Sequence, residues 1–290
     1  MIQCGSVAFT NPDEYQAAMG ALGVGVKLVL TGSTDFKARL TWLRLRHLHL
    51  VSGRESVPRI AYLSLSPARA YVSFPVSKKL SIVWGGLELG LGDFSFHARG
   101  ERMHHRTSQP HRWGMISLPH SQLAFYSKAL TGMRLDLPPF GQAIRPPASA
   151  AAFLIERHVS ACRLAETKPE LIAHEQVERA MEQEFIHALI NCLTIDSAWS
   201  KRQVRRDEED VLLRFEDALT DDDVGRRPNT SELSAAVGVT ERTLRACCEE
   251  LLGLSPSRYL QLRQRHVKRG LERRAGVAMW PAARFLQTSR

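Results

Sequence analysis

Arg242 and Arg245 are the side chains of this sequence best placed to meet a polyanion. They lie in Thr240-Glu241-Arg242-Thr243-Leu244-Arg245-Ala246, and residues three apart share one face of a helix. A guanidinium donates two parallel hydrogen bonds, and guanine O6 and N7 accept two. Each such pair gives about 1–3 kcal/mol of discrimination between bases. Ala246 is small enough to touch a thymine methyl group. This chemistry needs a firm helix behind it. Thr240 predicts the N-cap, and Leu244, Cys248 and Leu251 or Leu252 predict the buried face. Before it, Thr230 predicts the cap of a shorter helix with Glu232 in its first turn and Leu233, Ala236 and Val237 facing inward. Gly238 joins the two, since a tight turn between helices needs a residue at positive φ. Val239 fills the angle between them. Helix, glycine turn and capped helix with arginines early on its open face is the helix-turn-helix layout. The plain alternative is a helical hairpin with solvated arginines.

Other chemistries are weaker. His47 and His49, two apart on a strand, point the same way, as metal ligands would, with Glu55 downstream. No third ligand follows at a suitable interval. His97, His104, His105, His111 and His120 cluster without ligand spacing, and Met103-His104-His105-Arg106 reads as an exposed polar hairpin segment. Gly23-x-Gly25 and Gly90-x-Gly92 do not continue into phosphate-binding loops. Cys247 and Cys248 are adjacent on a helix that must pack, and Cys162 and Cys192 lie on apolar stripes, so all four read as buried structural thiols. Cys4 is uninformative. No nucleophile is paired with a base. The expectation is no enzyme, no metal and no cofactor.

The elements that must carry these residues follow from composition and periodicity. The chain has 290 residues, 44% hydrophobic and 24% charged, which fits a soluble chain of two or three domains. Its net charge is +9. Between Arg226 and Arg290 stand 13 Lys/Arg and 5 Asp/Glu, so that segment holds +8 of it. A neutral large part joined to a small basic part points to a polyanion-binding module; the bland reading is a solvated basic tail. The best apolar run, Ala21 to Leu30, is too short to span a bilayer and contains Lys27. The five cysteines, an odd count without repeated spacing, suit a reducing compartment, and a cytoplasmic location is expected.

Residues 1–147 read as β-rich, with short runs at 60–65, 71–74, 80–84 and 94–97, an alternating run from Leu40 to Val51, and a turn at Gly90-Leu91-Gly92-Asp93. Residues 148–220 switch to helical period. One helix covers about 149–166 and ends before Pro169. A second carries the stripe Val177, Met181, Phe185, Leu189 and Cys192. A third, from Asp207 to Leu219, opens with acids that suit a helix N-terminus. Thr220 to Gly225 reads as a linker. The module at 226–275 and a tail at 276–290 complete the chain.

The run Leu233 to Leu244, followed by Gly253-Leu254-Ser255-Pro256-Ser257-Arg258-Tyr259-Leu260 and Leu262-Arg263, resembles the first helix-turn-helix and connecting helix of AraC-type (AraC/XylS) transcription regulators. The resemblance covers about Pro228 to Arg274. It implies that Arg242, Arg245 and Ala246 face the bases, and that double-stranded DNA at a promoter is the partner. Thr240, Thr243, Arg258, Arg263 and Lys268 become expected phosphate contacts, since hydroxyls, helix N-termini and basic side chains hold the backbone. The family joins this module to a cupin-like β domain. Trp84-Gly85-Gly86, the Gly92-Asp93 turn and Trp113-Gly114 before Ile116 to Pro119 look like features of its sensor domains. The implied fold class is α+β: an N-terminal cupin-like β domain, a helical middle layer for connection and dimerisation, and a C-terminal all-α helix-turn-helix domain. A small-molecule effector and a homodimer are implied with it; the stripe on the second helix reads equally as core or as dimer contact.

The sequence departs from the family pattern in two places. Cys248 stands where the family has a bulky aromatic, which predicts a looser small core. The residues after Ala275 do not match the family's second helix-turn-helix, and Trp280-Pro281 would interrupt a helix. The module is therefore expected to be truncated, with fewer phosphate contacts and weaker binding per chain. The competing reading is a regulator without specific DNA binding that works as a ligand-sensing or protein-interaction module.

Overall fold

The computed structural model describes residues 3–32, 35–77, 82–194, 202–203, 206–219 and 229–276. The chain is α+β, as expected. Strands β1 (Gln3–Phe9), β3 (Ala38–Arg44), β4 (His49–Glu55), β6 (Arg69–Pro75), β9 (Phe94–Phe96), β11 (His111–Pro119), β12 (Gln142–Ile144) and β13 (Arg202–Gln203) form one sheet in the order β1-β3-β4-β11-β6-β9-β12-β13. Strands β2 (Val24–Leu30), β5 (Arg59–Leu65), β7 (Ile82–Trp84), β8 (Leu87–Leu89) and β10 (Arg102–Thr107) form a second, in the order β2-β5-β10-β7-β8. The strand pairs are antiparallel.

Both sheets are covered on two faces. Phe9, Leu28, Leu40, Ala61, Trp84 and Met103 belong to the apolar layer between the sheets. On the far side of the larger sheet, helices α2 (His120–Thr131), α3 (Ala148–Thr167), α4 (Pro169–Ile172) and α5 (Glu175–Thr194) bury Leu154, Phe185, Leu189 and Cys192 against Leu43, Leu50, Phe74 and Ile116. The stripe on α5 is thus used mainly within the chain: Phe185, Leu189 and Cys192 are buried, while Val177 and Met181 are half-buried. On the far side of the smaller sheet, Val29 and Ile60 join a core with α6 (Arg206–Ala218), α7 (Thr230–Val237), α8 (Glu241–Cys247) and α9 (Pro256–Gly276). Helix α6 therefore packs with the C-terminal module and not with α3 and α5, across the expected boundary near residue 220.

Several expectations change. The run Leu40 to Val51 is a hairpin, β3 to β4, closed where Leu45 N donates to Leu48 O (2.9 Å). Period-two alternation does not expose a reversal that contains no Gly or Pro. The region up to 147 also holds α2 and α1 (Pro12–Ala21), the latter begun by Asn11, whose side chain accepts from Asp13 N. The Gly90–Asp93 turn is present, with Asp93 N donating to Gly90 O (3.0 Å) and Gly92 at φ 92°. Met103 to Arg106 is no exposed hairpin segment: it lies on β10, the middle strand of the smaller sheet, and His104 and His105 are buried. A strand covered on both faces loses the alternation that marks exposure. The linker at 220–225 and the tail from residue 277 on, with Trp280-Pro281, lie outside the described residues.

Candidate nucleic-acid interface

Helix α7 starts one residue earlier than its sequence suggests. Asn229, not Thr230, is the N-cap, and its side chain accepts from Glu232 N (2.7 Å). Leu233, Ser234 and Val237 are buried, while Ala236 faces outward. Both Asn and Thr cap well, so composition does not choose between neighbours. Gly238 takes φ 75°, the left-handed region expected of the turn. Thr240 caps α8 by accepting from Thr243 N (3.1 Å), and its hydroxyl lies 2.8 Å from that of Thr243.

The last turns of α8 loosen into a π-type turn over Cys248–Leu252. That extra residue per turn places Cys247, Cys248, Leu251 and Leu252 together in the core. Cys248 has no exposed surface, and burial pushes its thiol up. Phe215 and Tyr259 fill the same core with their rings 5.9 Å apart. The bulk missing at Cys248 is thus met by residues from other helices. Gly253 ends the turn at φ 70°, and a Cβ there would come within 2.8 Å of the Arg106 guanidinium on β10.

Against this buried face, Arg242, Thr243, Arg245 and Ala246 are exposed together with Glu241 and Glu249. The structure brings the three expected base-facing residues onto one open surface. Arg258 and Lys268 on α9 are also exposed; Arg258 reaches Gln261 Oε1 at 3.3 Å. Arg263 departs from its expected phosphate role. Its guanidinium turns inward to Glu216 Oε2 (2.9 Å) and to the Leu219 carbonyl (3.2 Å), with the side chain only 12% exposed. A long basic helix read from sequence alone does not show which of its cations a buried acid on α6 will claim.

That acid belongs to a buried node. Glu216 also accepts from the Tyr259 hydroxyl of α9 and lies 3.5 Å from His104 Nε2. Glu209, one of the acids at the start of α6, accepts from His104 N and Nδ1, both at 2.8 Å. Burial alone would lower the His104 pKa, but the hydrogen bonds and charges of Glu209 and Glu216 more than reverse this and push it up to about 9. His104 thus carries positive charge between Glu209 and Glu216, and Arg263 pairs with the second oxygen of Glu216. The node ties β10 to α6 and α9. An exposed bidentate pair, Arg102 with Asp217, lies beside it. Midway along α9, His266 Nε2 stands 3.2 Å from Asp13 Oδ1 on α1. In the sequence Glu209 is one of several acids that suit the start of α6, and nothing there connects it to His104; no linear spacing joins residues 105 positions apart.

Behind β10, the apolar layer between the sheets contains a cavity of about 50 Å³. Neighbouring side chains on a strand point to opposite faces, so His105 lines this cavity while His104 meets α6. Glu55 sits at its edge, accepting from Tyr15 (2.8 Å), Trp113 Nε1 (3.0 Å) and Arg59 Nε (2.7 Å). Burial opposes its charge, but the Arg59 guanidinium and the hydrogen bond from Trp113 lower its pKa to about 2. His111 accepts from Arg59 at 3.2 Å, and burial lowers its pKa to about 4, so it is neutral. His47, His49 and Glu55 do not converge: His47 pairs with Glu182 on α5 (2.9 Å), and Glu55 is held by Arg59. Among the described residues no group of three His, Cys, Asp or Glu could hold a metal ion, and no helix is long and apolar enough to cross a membrane. All five cysteines are free thiols.

No family model matches the chain. No curated protein matches its sequence. Among solved structures, the chain is similar to the AraC-like transcriptional activator CuxR, at 17% identity and a TM-score of 0.45, over 92% of this chain and 95% of that one. ToxT from Vibrio cholerae matches at 10% identity and a TM-score of 0.30, over 75% of this chain and 99% of that one. Likeness at this level leaves the function to be argued from the residues themselves.

Proposed function

We propose that the chain is a sequence-specific, DNA-binding transcription regulator of the AraC type. The observation that carries this reading is the open face of α8: Arg242, Arg245 and Ala246 exposed on a helix whose other face is buried and whose start is capped by Thr240. The major groove of B-DNA admits such a helix. Arg242 and Arg245 then donate to guanine edges and Ala246 meets a thymine methyl. Thr240, Thr243, Arg258 and Lys268 hold phosphates, and Arg263 holds the module to α6 instead. The β domain serves as a cupin-like sensor for a small-molecule effector, its cavity lying directly behind the strand that bears the node. The protein works in the cytoplasm, and a homodimer supplies a second reading helix.

The second reading is an interaction module without specific DNA binding. It is favoured by Phe125 and Leu130, 63% and 40% exposed beside the groove between α2 and α5.

A mobility-shift titration with pooled genomic fragments at two salt concentrations separates the two. The native chain should enrich particular fragments. Arg242→Ala/Arg245→Ala should weaken that binding by about thirty-fold or more, from two lost base contacts at about 1 kcal/mol or more each. Weak binding that ignores both arginines and collapses with salt refutes base reading and favours the interaction module.

A further inference from the structure

The cavity between the sheets has the chemistry of a site for an uncharged ligand. Its only charged side chains among the described residues, Glu55 and Arg59, are spent on each other: Arg59 donates through Nε at 2.7 Å and through Nη2 at 3.5 Å. Arg59 Nη1 is turned to the His105 carbonyl (3.4 Å) and Nη2 also to His111 (3.2 Å). Neither ion is left over for a charged guest. His97 is likewise occupied, by Ser73 Oγ at 2.9 Å and Glu101 Oε2 at 3.0 Å.

One polar atom is different. His105 lines the cavity at 7% exposure, and its Nε2 has no hydrogen-bond partner among the described residues. A buried polar group without a partner is unfavourable, and a hydrogen-bonding ligand group would remove that penalty. The rest of the wall is apolar, and Met19, Met103 and Met115 form part of it. About 50 Å³ is room for a few waters or a very small molecule. Benzene occupies an engineered cavity of about 150 Å³, and methionine side chains re-pack readily to enlarge a site.

We propose that this cavity binds a compact, uncharged molecule, an aromatic ring or short aliphatic body with one hydrogen-bonding group directed at His105 Nε2. The proposal rests on the sensor reading of the β domain and says what that sensor accepts. An anion entering here gives up its hydration for a wall with no free cation among the described residues, and meets the Glu101 carboxylate behind His97. Burial and the neighbouring Arg59 also keep the His105 ring neutral.

The test needs no DNA, so it fails or succeeds apart from base reading. Phenol, benzamide and benzoate are titrated into the full chain at pH 7.5, with thermal denaturation and tryptophan fluorescence as readouts. Trp113 lines the cavity and Trp84 packs on His97 at 5.2 Å between ring centroids. Phenol and benzamide should give saturable shifts in both readouts. Benzoate, of the same shape as benzamide, should bind at least ten-fold more weakly. His105→Phe keeps the ring and removes the nitrogen; it should fold normally and weaken phenol and benzamide about five-fold, the equivalent of one hydrogen bond. Leu89→Phe narrows the cavity and should reduce binding of both neutral probes. Benzoate binding as tightly as benzamide would overturn the proposal. So would the absence of any saturable shift with either neutral probe, or binding unchanged in both variants.

Discussion

Replacing His104 and Glu209 together by glutamine should remove a pH-dependent part of stability, with a size that follows from the node. The His104 pKa rises from 6.5 to about 9 in the fold. That rise corresponds to about 3 kcal/mol of preference for the charged ring. Because the folded value is the higher one, this stabilisation is complete below pH 6.5 and is lost as pH rises through about 9. Groups around the ring include Glu209 and Glu216 of α6, with Tyr62 on the neighbouring strand at 5.3 Å between ring centroids. Tyr259 and Arg263 bind the far side of Glu216, and Arg102 and Asp217 pair beside the node. The double variant keeps Glu216 with Tyr259 and Arg263 while replacing the buried ion pair by neutral amides, so neither partner is left charged alone. Buried thiols and tyrosines that titrate at high pH are common to both proteins and cancel in the difference. Unfolding by urea, followed at pH 6, 7, 8, 9 and 9.5, gives that difference. The advantage of the native chain over the double variant should shrink by about 3 kcal/mol across this range, most steeply between pH 7 and 9. A difference constant within about 0.5 kcal/mol would show that His104 is not held as a cation. The node would then be a neutral hydrogen-bond network and not an ion pair tying β10 to α6.

Other outcomes follow from single residues. Thr240→Ala removes the side-chain acceptor for Thr243 N and should cost about 1 kcal/mol in thermal unfolding; no change would mean the cap does not hold α8. Gly253→Ala should cost about 1–2 kcal/mol or more, because φ 70° is unfavourable for alanine and its Cβ would crowd Arg106; an unchanged melting curve would contradict the left-handed turn. In native protein at pH 8, a disulfide reagent should label Cys4 quickly and the other four thiols only on unfolding. Burial raises Cys162 and Cys192 to about 12 and also raises Cys247 and Cys248. Rapid labelling of Cys248 would show that the α8 core is open.

Local rules were enough for α8. Gly238, Thr240 and the spacing of Leu244, Arg245 and Cys248 depend on neighbours within one or two turns, and the structure places these residues as that logic requires. The helical period of 148–167 and 175–194 was legible for the same reason. Where two neighbours could play the same part, sequence alone chose wrongly, as with Asn229 and Thr230 at the α7 cap. The helix at Pro12–Ala21 was missed because its buried residues, Tyr15, Ala18 and Met19, make only a short pattern.

The remaining features depend on contacts between distant segments. His104 and His105 are neighbours in sequence, yet one meets α6 and the other the cavity between the sheets. Arg263 looked like any other cation of α9 until Glu216 of α6 took it inward. Glu55 is only an acid downstream of His47 and His49 in the sequence; the fold shows it enclosed by Arg59, Tyr15 and Trp113. Sequence by itself determined which segments turn, cap and repeat, because those effects act over a few residues. Only the tertiary structure decided which charges are buried and paired, because the energy of an ionisable group is set by desolvation and by partners that the folded chain brings from other elements.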